Sequence, residues 1–470
     1  MKSYSLRRIN PSFVFVAIFI AGMMLRCWRL TFVTLWSDEF RGTYQLIQLP
    51  WKDLLTANYS WEFNPPLYFI LLKAWVSIFG SGEIVMRVFS IVLSSGSLVT
   101  IYYISKKLGD WRSGIAAMSI LAFHPQYLYY STELRMYSLL IFLSLVAILS
   151  YLQYTLNQSS SGWWLLLLGL SLILVLYTHY FGVFTVLGIF VFSICFLIMK
   201  NDRRQVLLFK LIPLYFIFLL PIIPIFLQQS TRYVNNNLNL SLNFQNLNIT
   251  SVLAIMSGSV TLDFQINNIT QVISLLSMIV GAVVLFRNHK KNYAVAIISF
   301  IGISSFATLI ISLTNINIQP RYLILVYLMS WILSSLALIK TDDSFSKYIQ
   351  IIVIIAIAFN SFVGISNTLI KEYPHPDWRA IAHTLSLQAE VNEPIVIMGW
   401  DAAPTGYYLN RAWLTSYDFE KDLKENGAAS YLLLISENGR KLDFVDYSTN
   451  IIYEQPNWKV KIIRYYSPGK

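Results

Sequence analysis

Charge is what this sequence has least of: Asp, Glu, Lys and Arg together make up 13% of its 470 residues, against about a quarter in an ordinary soluble domain. That scarcity, with 56% hydrophobic residues and a mean hydropathy of +0.56, excludes a single water-soluble core. Cysteine is nearly absent. Cys27 and Cys195 both sit in apolar stretches, so neither a disulfide framework nor a thiolate metal site is supported. H-E-x-x-H, a Walker A loop, the Rossmann glycine pattern and a nucleophile elbow are all missing, which leaves a soluble nucleotide donor without a recognisable cradle. No internal repeat or low-complexity tract interrupts the chain apart from an Asn-rich stretch over 228–248.

Carboxylates are outnumbered, 24 against 35 Lys plus Arg, for a net charge of +11. The cations collect in short loops between apolar runs: Lys106, Lys107 and Arg112; Lys200, Arg203 and Arg204; Arg287, Lys290 and Lys291; Lys340 and Lys347. This is the positive-inside pattern of membrane topology, and it points to a bilayer as partner, with no nucleic acid. Apolar runs near the length that crosses about 30 Å of hydrocarbon recur between 11 and 369. The first follows Lys2, Arg7 and Arg8 but is long and lacks a small-residue cleavage site, so it reads as a retained helix.

With a cytoplasmic N-terminus, about eleven transmembrane helices satisfy the charge asymmetry. The first spans 12–30 and the second 84–104; 67–79 is short enough to be interfacial; a third ends near 127; and the fifth starts at the interfacial pair Trp163 and Trp164. The seventh is broken by Pro221 and Pro224, a ninth emerges at 315–321, and the last covers 348–370. Residues 1–370 thus form an α-helical polytopic membrane domain with a polar first outer loop over 31–66. Residues 371–470 turn soluble in composition, with strand-like runs at 394–398, 431–435 and 460–466, which predicts a small extracytoplasmic α/β domain.

Ionisable residues gather at the outer ends of the spans. Asp38 and Glu39 are adjacent acids just past the first span. They are either ordinary loop acids or a pair in which one removes a proton from an acceptor hydroxyl while the other orients the acceptor or binds a cation. Glu62 and Asn64 precede the double proline Pro65-Pro66, which stiffens the chain and starts a helix. Glu133 and Arg135 lie in Ser131–Tyr137, where they pair or snorkel, or where the guanidinium binds a phosphate. Arg321 is a second such cation and runs against the positive-inside trend, which calls for a partner. His179 is either an interfacial polar residue between tyrosines or a phosphate contact.

Trp36-Ser37-Asp38-Glu39, Asn64-Pro65-Pro66-Leu67-Tyr68, Ser131 through Tyr137, Tyr177-Thr178-His179-Tyr180 and Arg321-Tyr322-Leu323 occur in this order. By that ordered set, which covers residues 30–323, the chain resembles bacterial and archaeal family 39-like glycosyltransferases. These are relatives of protein O-mannosyltransferases and lipid A aminoarabinose transferases with a multispanning GT-C fold. The resemblance implies an inverting transfer from a polyprenyl-phosphate sugar donor to an acceptor it does not identify, at the outer face of the plasma (inner) membrane. It implies Asp38 as base or acceptor-orienting acid with Glu39 in support, and Arg135, Arg321 and His179 at the donor phosphate. Glu62, Asn64, Glu133 and Tyr137 fall in the acceptor and substrate loops. Glu62 also stands where some relatives place a metal-binding acid, so a divalent metal ion is left open, although Asn64 replaces the histidine that many relatives have there. A transporter or flippase of lipid-linked saccharides is the alternative from another class; it needs polar residues along a transbilayer path.

Overall fold

The computed structural model describes residues 10–57, 59, 61–156, 162–200, 206, 217, 219–237, 268–288, 290–312, 324–340, 344–370, 376–399, 402–409, 411–415, 417–419, 421, 428, 430–436, 449–455 and 460–466. Most of the expected seventh span, the Asn-rich stretch from 238 on and the emergence at 315–321 lie outside them. The chain divides into two compact units, Met1–Leu30 with Trp51–Glu372, and Thr31–Pro50 with Tyr373–Lys470.

The helices, in chain order, are α1 (Pro11–Arg29), α2 (Ser37–Glu39), α3 (Gln45–Gln48), α4 (Trp51–Leu55), α5 (Leu67–Phe79), α6 (Glu83–Leu108), α7 (Trp111–Phe123), α8 (Pro125–Tyr130), α9 (Tyr137–Leu156), α10 (Gly162–Thr178) and α11 (Val183–Lys200). They continue with α12 (Ile222–Asn237), α13 (Asn268–Arg287), α14 (Lys291–Ser312), α15 (Ile324–Ser335), α16 (Ser344–Leu369), α17 (Trp378–Gln388) and α18 (Thr405–Tyr408).

The first unit is helical. Among the described residues four stretches are long and apolar enough to cross a membrane: Pro11–Arg29, Glu83–Leu108, Tyr137–Leu156 and Tyr180–Met199. Further apolar helices are shorter, α5 and α10 among them. The protein is a multi-pass helical membrane protein. α5 stops at Gly80, whose φ of +94° suits a residue without a side chain. The crossing expected to end near 127 is two helices, because Pro125 holds His124 in an extended conformation (φ −65°, ψ 131°) and opens α8 at its first turn. α7 starts where the Asp110 carboxylate accepts the N–H groups of Arg112 at 2.8 Å and Ser113 at 3.3 Å. Every residue of α15 is buried, as befits a helix that is apolar all round. Two glycines permit close crossings: a Cβ on Gly281 of α13 would overlap the Leu333 carbonyl of α15, and one on Gly364 of α16 the Phe123 carbonyl of α7.

The second unit holds a five-stranded sheet in the order β2-β1-β3-β5-β4. Its strands are β1 (Ile395–Met398), β2 (Trp413–Thr415), β3 (Ser430–Ile435), β4 (Thr449–Gln455) and β5 (Val460–Tyr466). β1 pairs parallel with β2 and β3, while β5 runs antiparallel to β3 and β4. α17, capped by the Asp377 carboxylate on Ala380 N–H, buries Trp378, Ile381 and Leu385 on one face of the sheet. The other face carries Phe419, Tyr431 and Tyr465. This is the α/β architecture expected of the C-terminal residues, and residues 31–50 pack as part of it.

Candidate active site

In the first unit the sequence candidates Glu62, Asn64 and Arg135 come together. Glu62 Oε2 accepts the Arg135 Nη1 hydrogen bond at 2.7 Å, with both side chains at 7% exposure. Its other oxygen accepts the Phe63 N–H at 3.1 Å and the Asn64 side-chain amide. The Asn64 carbonyl in turn accepts the Tyr59 hydroxyl at 3.4 Å and the Gln229 amide at 3.2 Å, and Gln229 Oε1 accepts the Tyr180 hydroxyl at 2.6 Å. Burial, then the neighbouring Glu62 carboxylate, pushes the Tyr59 phenol far above its ordinary value, so Tyr59 stays a neutral donor.

The segment that carries Glu133 and Arg135 is fastened by residues the motifs do not mark. Arg87 Nη1 donates to the Thr132 carbonyl at 2.9 Å while its Nε holds Glu83, four residues earlier, at 3.1 Å. Arg29 Nε donates to Thr132 Oγ1 at 3.1 Å, and Ser90 Oγ to the Glu133 carbonyl at 2.8 Å. Arg26, fully buried, donates to Ser94 and to the carbonyls of Gly22, Leu121 and Ala122. A permanently charged side chain inside an apolar run is the one signal that marks Arg26 and Arg87 in sequence.

His179 is buried, and its Nδ1 accepts the Phe181 N–H at 3.0 Å, which places the proton of the neutral ring on Nε2. That bond caps the turn Tyr180–Gly182. Tyr137 packs against the His179 and Tyr130 rings with centroids 6.0 and 4.9 Å apart. Glu133 is buried in the same segment. Arg321 lies outside the described residues.

In the second unit the adjacent acids separate in character. Glu39 is buried and its carboxylate accepts the Trp36 N–H at 3.3 Å, closing the first turn of α2. Asp38, half-buried, is the more accessible acid. A π-helical turn at Phe40–Tyr44 follows directly, a local geometry frequent at functional sites.

A family model described as dolichyl-phosphate-mannose-protein mannosyltransferase matches residues 64–227, the segment that carries Asn64, Arg135 and His179. No curated protein matches the sequence. Among solved structures, ArnT from Cupriavidus metallidurans in the apo state aligns with a TM-score of 0.61, covering 97% of this chain and 98% of that one at 12% identity. The same protein bound to undecaprenyl phosphate gives 0.57 over 96% and 97% at 13% identity. The apo oligosaccharyltransferase of Archaeoglobus fulgidus gives 0.57 over 93% and 70%, also at 13%. The fold is that of the GT-C glycosyltransferases. The resemblance carried by the ordered motifs is thereby borne out.

A metal at Glu62 does not fit this arrangement of side chains. Both carboxylate oxygens are engaged, one by Arg135 and the other by two N–H donors. A cation there would have to displace a buried guanidinium, and among the described residues no three His, Cys, Asp or Glu side chains gather to hold one. Glu62 is the counter-ion of Arg135.

Proposed function

We propose that the protein is an inverting glycosyltransferase that moves a sugar from a polyprenyl-phosphate donor to a lipid, glycan or protein acceptor at the outer face of the plasma membrane. The observation that carries this reading is the buried Arg135–Glu62 pair, whose Arg135 sits in a clamped segment inside the stretch matched by the mannosyltransferase family model. In this reading about eleven helices cross the membrane, the N-terminus is cytoplasmic and the C-terminal domain extracytoplasmic.

Asp38 accepts the proton of the acceptor hydroxyl as its oxygen attacks the anomeric carbon on the face opposite the phosphate. The bond from that carbon to the phosphate oxygen breaks, and polyprenyl phosphate departs with the electron pair. One attack gives one inversion, with no sugar bound covalently to the enzyme. Arg135 and Arg321 stabilise the charge that develops on the leaving phosphate, and His179 donates to it from Nε2. Glu62 holds the Arg135 fork in orientation through Nη1. Glu39 supports Asp38 by closing the turn that carries it. Asn64, Glu133 and Tyr137 shape the acceptor and substrate loops.

Two of the buried arginines, Arg26 and Arg87, argue against a flippase. Arg26 is met by a serine and three carbonyls and Arg87 by Glu83 and a carbonyl, so they staple helices and do not line a polar path. Offering the reconstituted protein polyprenyl-phosphate sugars and nucleotide sugars side by side tests the donor class. Turnover is expected with the lipid-linked donor alone; turnover only with the nucleotide donor sinks the proposal.

A further inference from the structure

The residues Pro376-Asp377-Trp378-Arg379, together with the short helix α18, fasten the loop that carries Asp38. Thr34 Oγ1 donates to the Pro376 carbonyl at 3.4 Å, and the Leu35 N–H donates to the Tyr408 hydroxyl at 2.8 Å. Tyr44 meets the ring of Tyr407 edge-on at 4.9 Å between centroids. The Tyr408 ring is itself held, with the Arg379 guanidinium 5.5 Å from its centroid and Tyr407 edge-on at 5.0 Å. Arg379 lies in the first turn of α17, which Asp377 caps and whose first residue, Trp378, is sunk in the core beneath the sheet. Both ends of the segment around Asp38 are therefore tied to the C-terminal domain.

We infer that Tyr408 is a positioning residue for Asp38, and that the C-terminal domain works as the clamp of the catalytic loop. The physics is short-range. Leu35 is fully buried, and a buried N–H that loses its acceptor leaves the conformation that exposed it to that acceptor. Trp36 is extended (φ −111°, ψ 176°) and α2 begins at the next residue, so two stiff residues separate the Tyr408 bond from Asp38. A shift at Leu35 is carried to the carboxylate with little slack. Misplacing a reacting group by about 1 Å costs on the order of a hundredfold in rate.

The inference rests on the functional reading above for its kinetic half only. In the full-length protein in proteoliposomes, Tyr408→Phe keeps the ring that Arg379 and Tyr407 hold and removes the acceptor for Leu35. The expected result is a kcat lower by roughly ten- to a hundredfold with the donor KM unchanged, and faster hydrogen–deuterium exchange in peptides from 31–50. General damage to the fold would instead speed exchange throughout and move both constants. Thr34→Val removes the other bond and leaves Tyr408 in place; a smaller fall in kcat with faster exchange in the same peptides is expected. Wild-type kcat, or unchanged exchange over 31–50 in both variants, overturns the inference. If the wild-type protein turns over no lipid-linked donor, the functional reading fails while the exchange result still decides the clamp: faster exchange upholds it and unchanged exchange ends it.

Discussion

Glu62 and Arg135 neutralise each other out of water, and the value of such a pair lies in what happens when half of it is removed. Glu62→Gln leaves a buried guanidinium without its counter-ion, a change that typically costs about 3–5 kcal/mol. A clear drop in the melting temperature of the detergent-solubilised protein is expected, and a smaller drop in the double variant Glu62→Gln, Arg135→Met, which buries no lone charge. Equal losses in the two would mean that the pair is not the source of the effect. Because Arg135 occupies the carboxylate, a chelator is expected to leave sugar transfer undiminished. Loss of transfer on chelation, restored by a divalent cation, would return Glu62 to metal binding. The sequence makes Glu62, Asn64 and Arg135 visible as polar residues at stiff or outer positions. It cannot show that Glu62 and Arg135 meet, because 73 residues separate them. Gln229 and Tyr59 carry no mark at all, since an isolated amide or phenol near an apolar run has many ordinary explanations.

Helix placement follows from patterns a sequence displays openly, whereas helix contact follows from shapes it hides. The long apolar runs predict α1, α6 and α9, and the shortness of 67–79 sets α5 apart from them. Pro125 splits a crossing that hydropathy alone reads as continuous, because an apolar window does not weigh a missing N–H. Close crossings at Gly281 and Gly364 are illegible for a different reason: glycine in a membrane helix is common, and only the facing carbonyl gives it a purpose. Gly364→Ala is expected to destabilise the protein by about 1–3 kcal/mol, seen as a lower melting temperature in detergent. Gly302→Ala, whose Cβ would meet open space, serves as the neutral comparison. Equal melting temperatures for the two variants would contradict the crossing.

At the scale of the whole molecule, the chain order and the spatial order differ. A linear reading places the boundary at 370/371 and assigns 31–66 to the membrane domain, while residues 31–50 pack with the C-terminal domain. No periodicity or composition shift reports a partnership between segments more than three hundred residues apart. The C-terminal domain has its own electrostatic tie, in which Arg464 of β5 donates to both oxygens of Glu393 at 2.9 and 3.1 Å. Burial raises the Glu393 carboxyl, but hydrogen bonds from Arg464, the Glu390 N–H and Ser430, with the Arg464 charge, outweigh it and hold the group below its ordinary value of 4.5. Its contribution to stability is therefore complete above pH 4.5 and lost as the pH falls through the lower folded value. The stability gap between wild type and Glu393→Gln, followed by tryptophan fluorescence on unfolding, is expected to be constant from neutral pH downward and to close below that point. A gap that persists unchanged in acid would remove the tie.

All of this bears on one chemical claim, that a sugar leaves a polyprenyl phosphate when Asp38 takes a proton from the acceptor. The measurement is release of polyprenyl phosphate from a lipid-linked sugar in proteoliposomes, wild type against Asp38→Asn, with insertion and melting temperature matched. Release by the wild type and a loss of about a hundredfold or more in the variant are expected. Equal release by both would contradict the account.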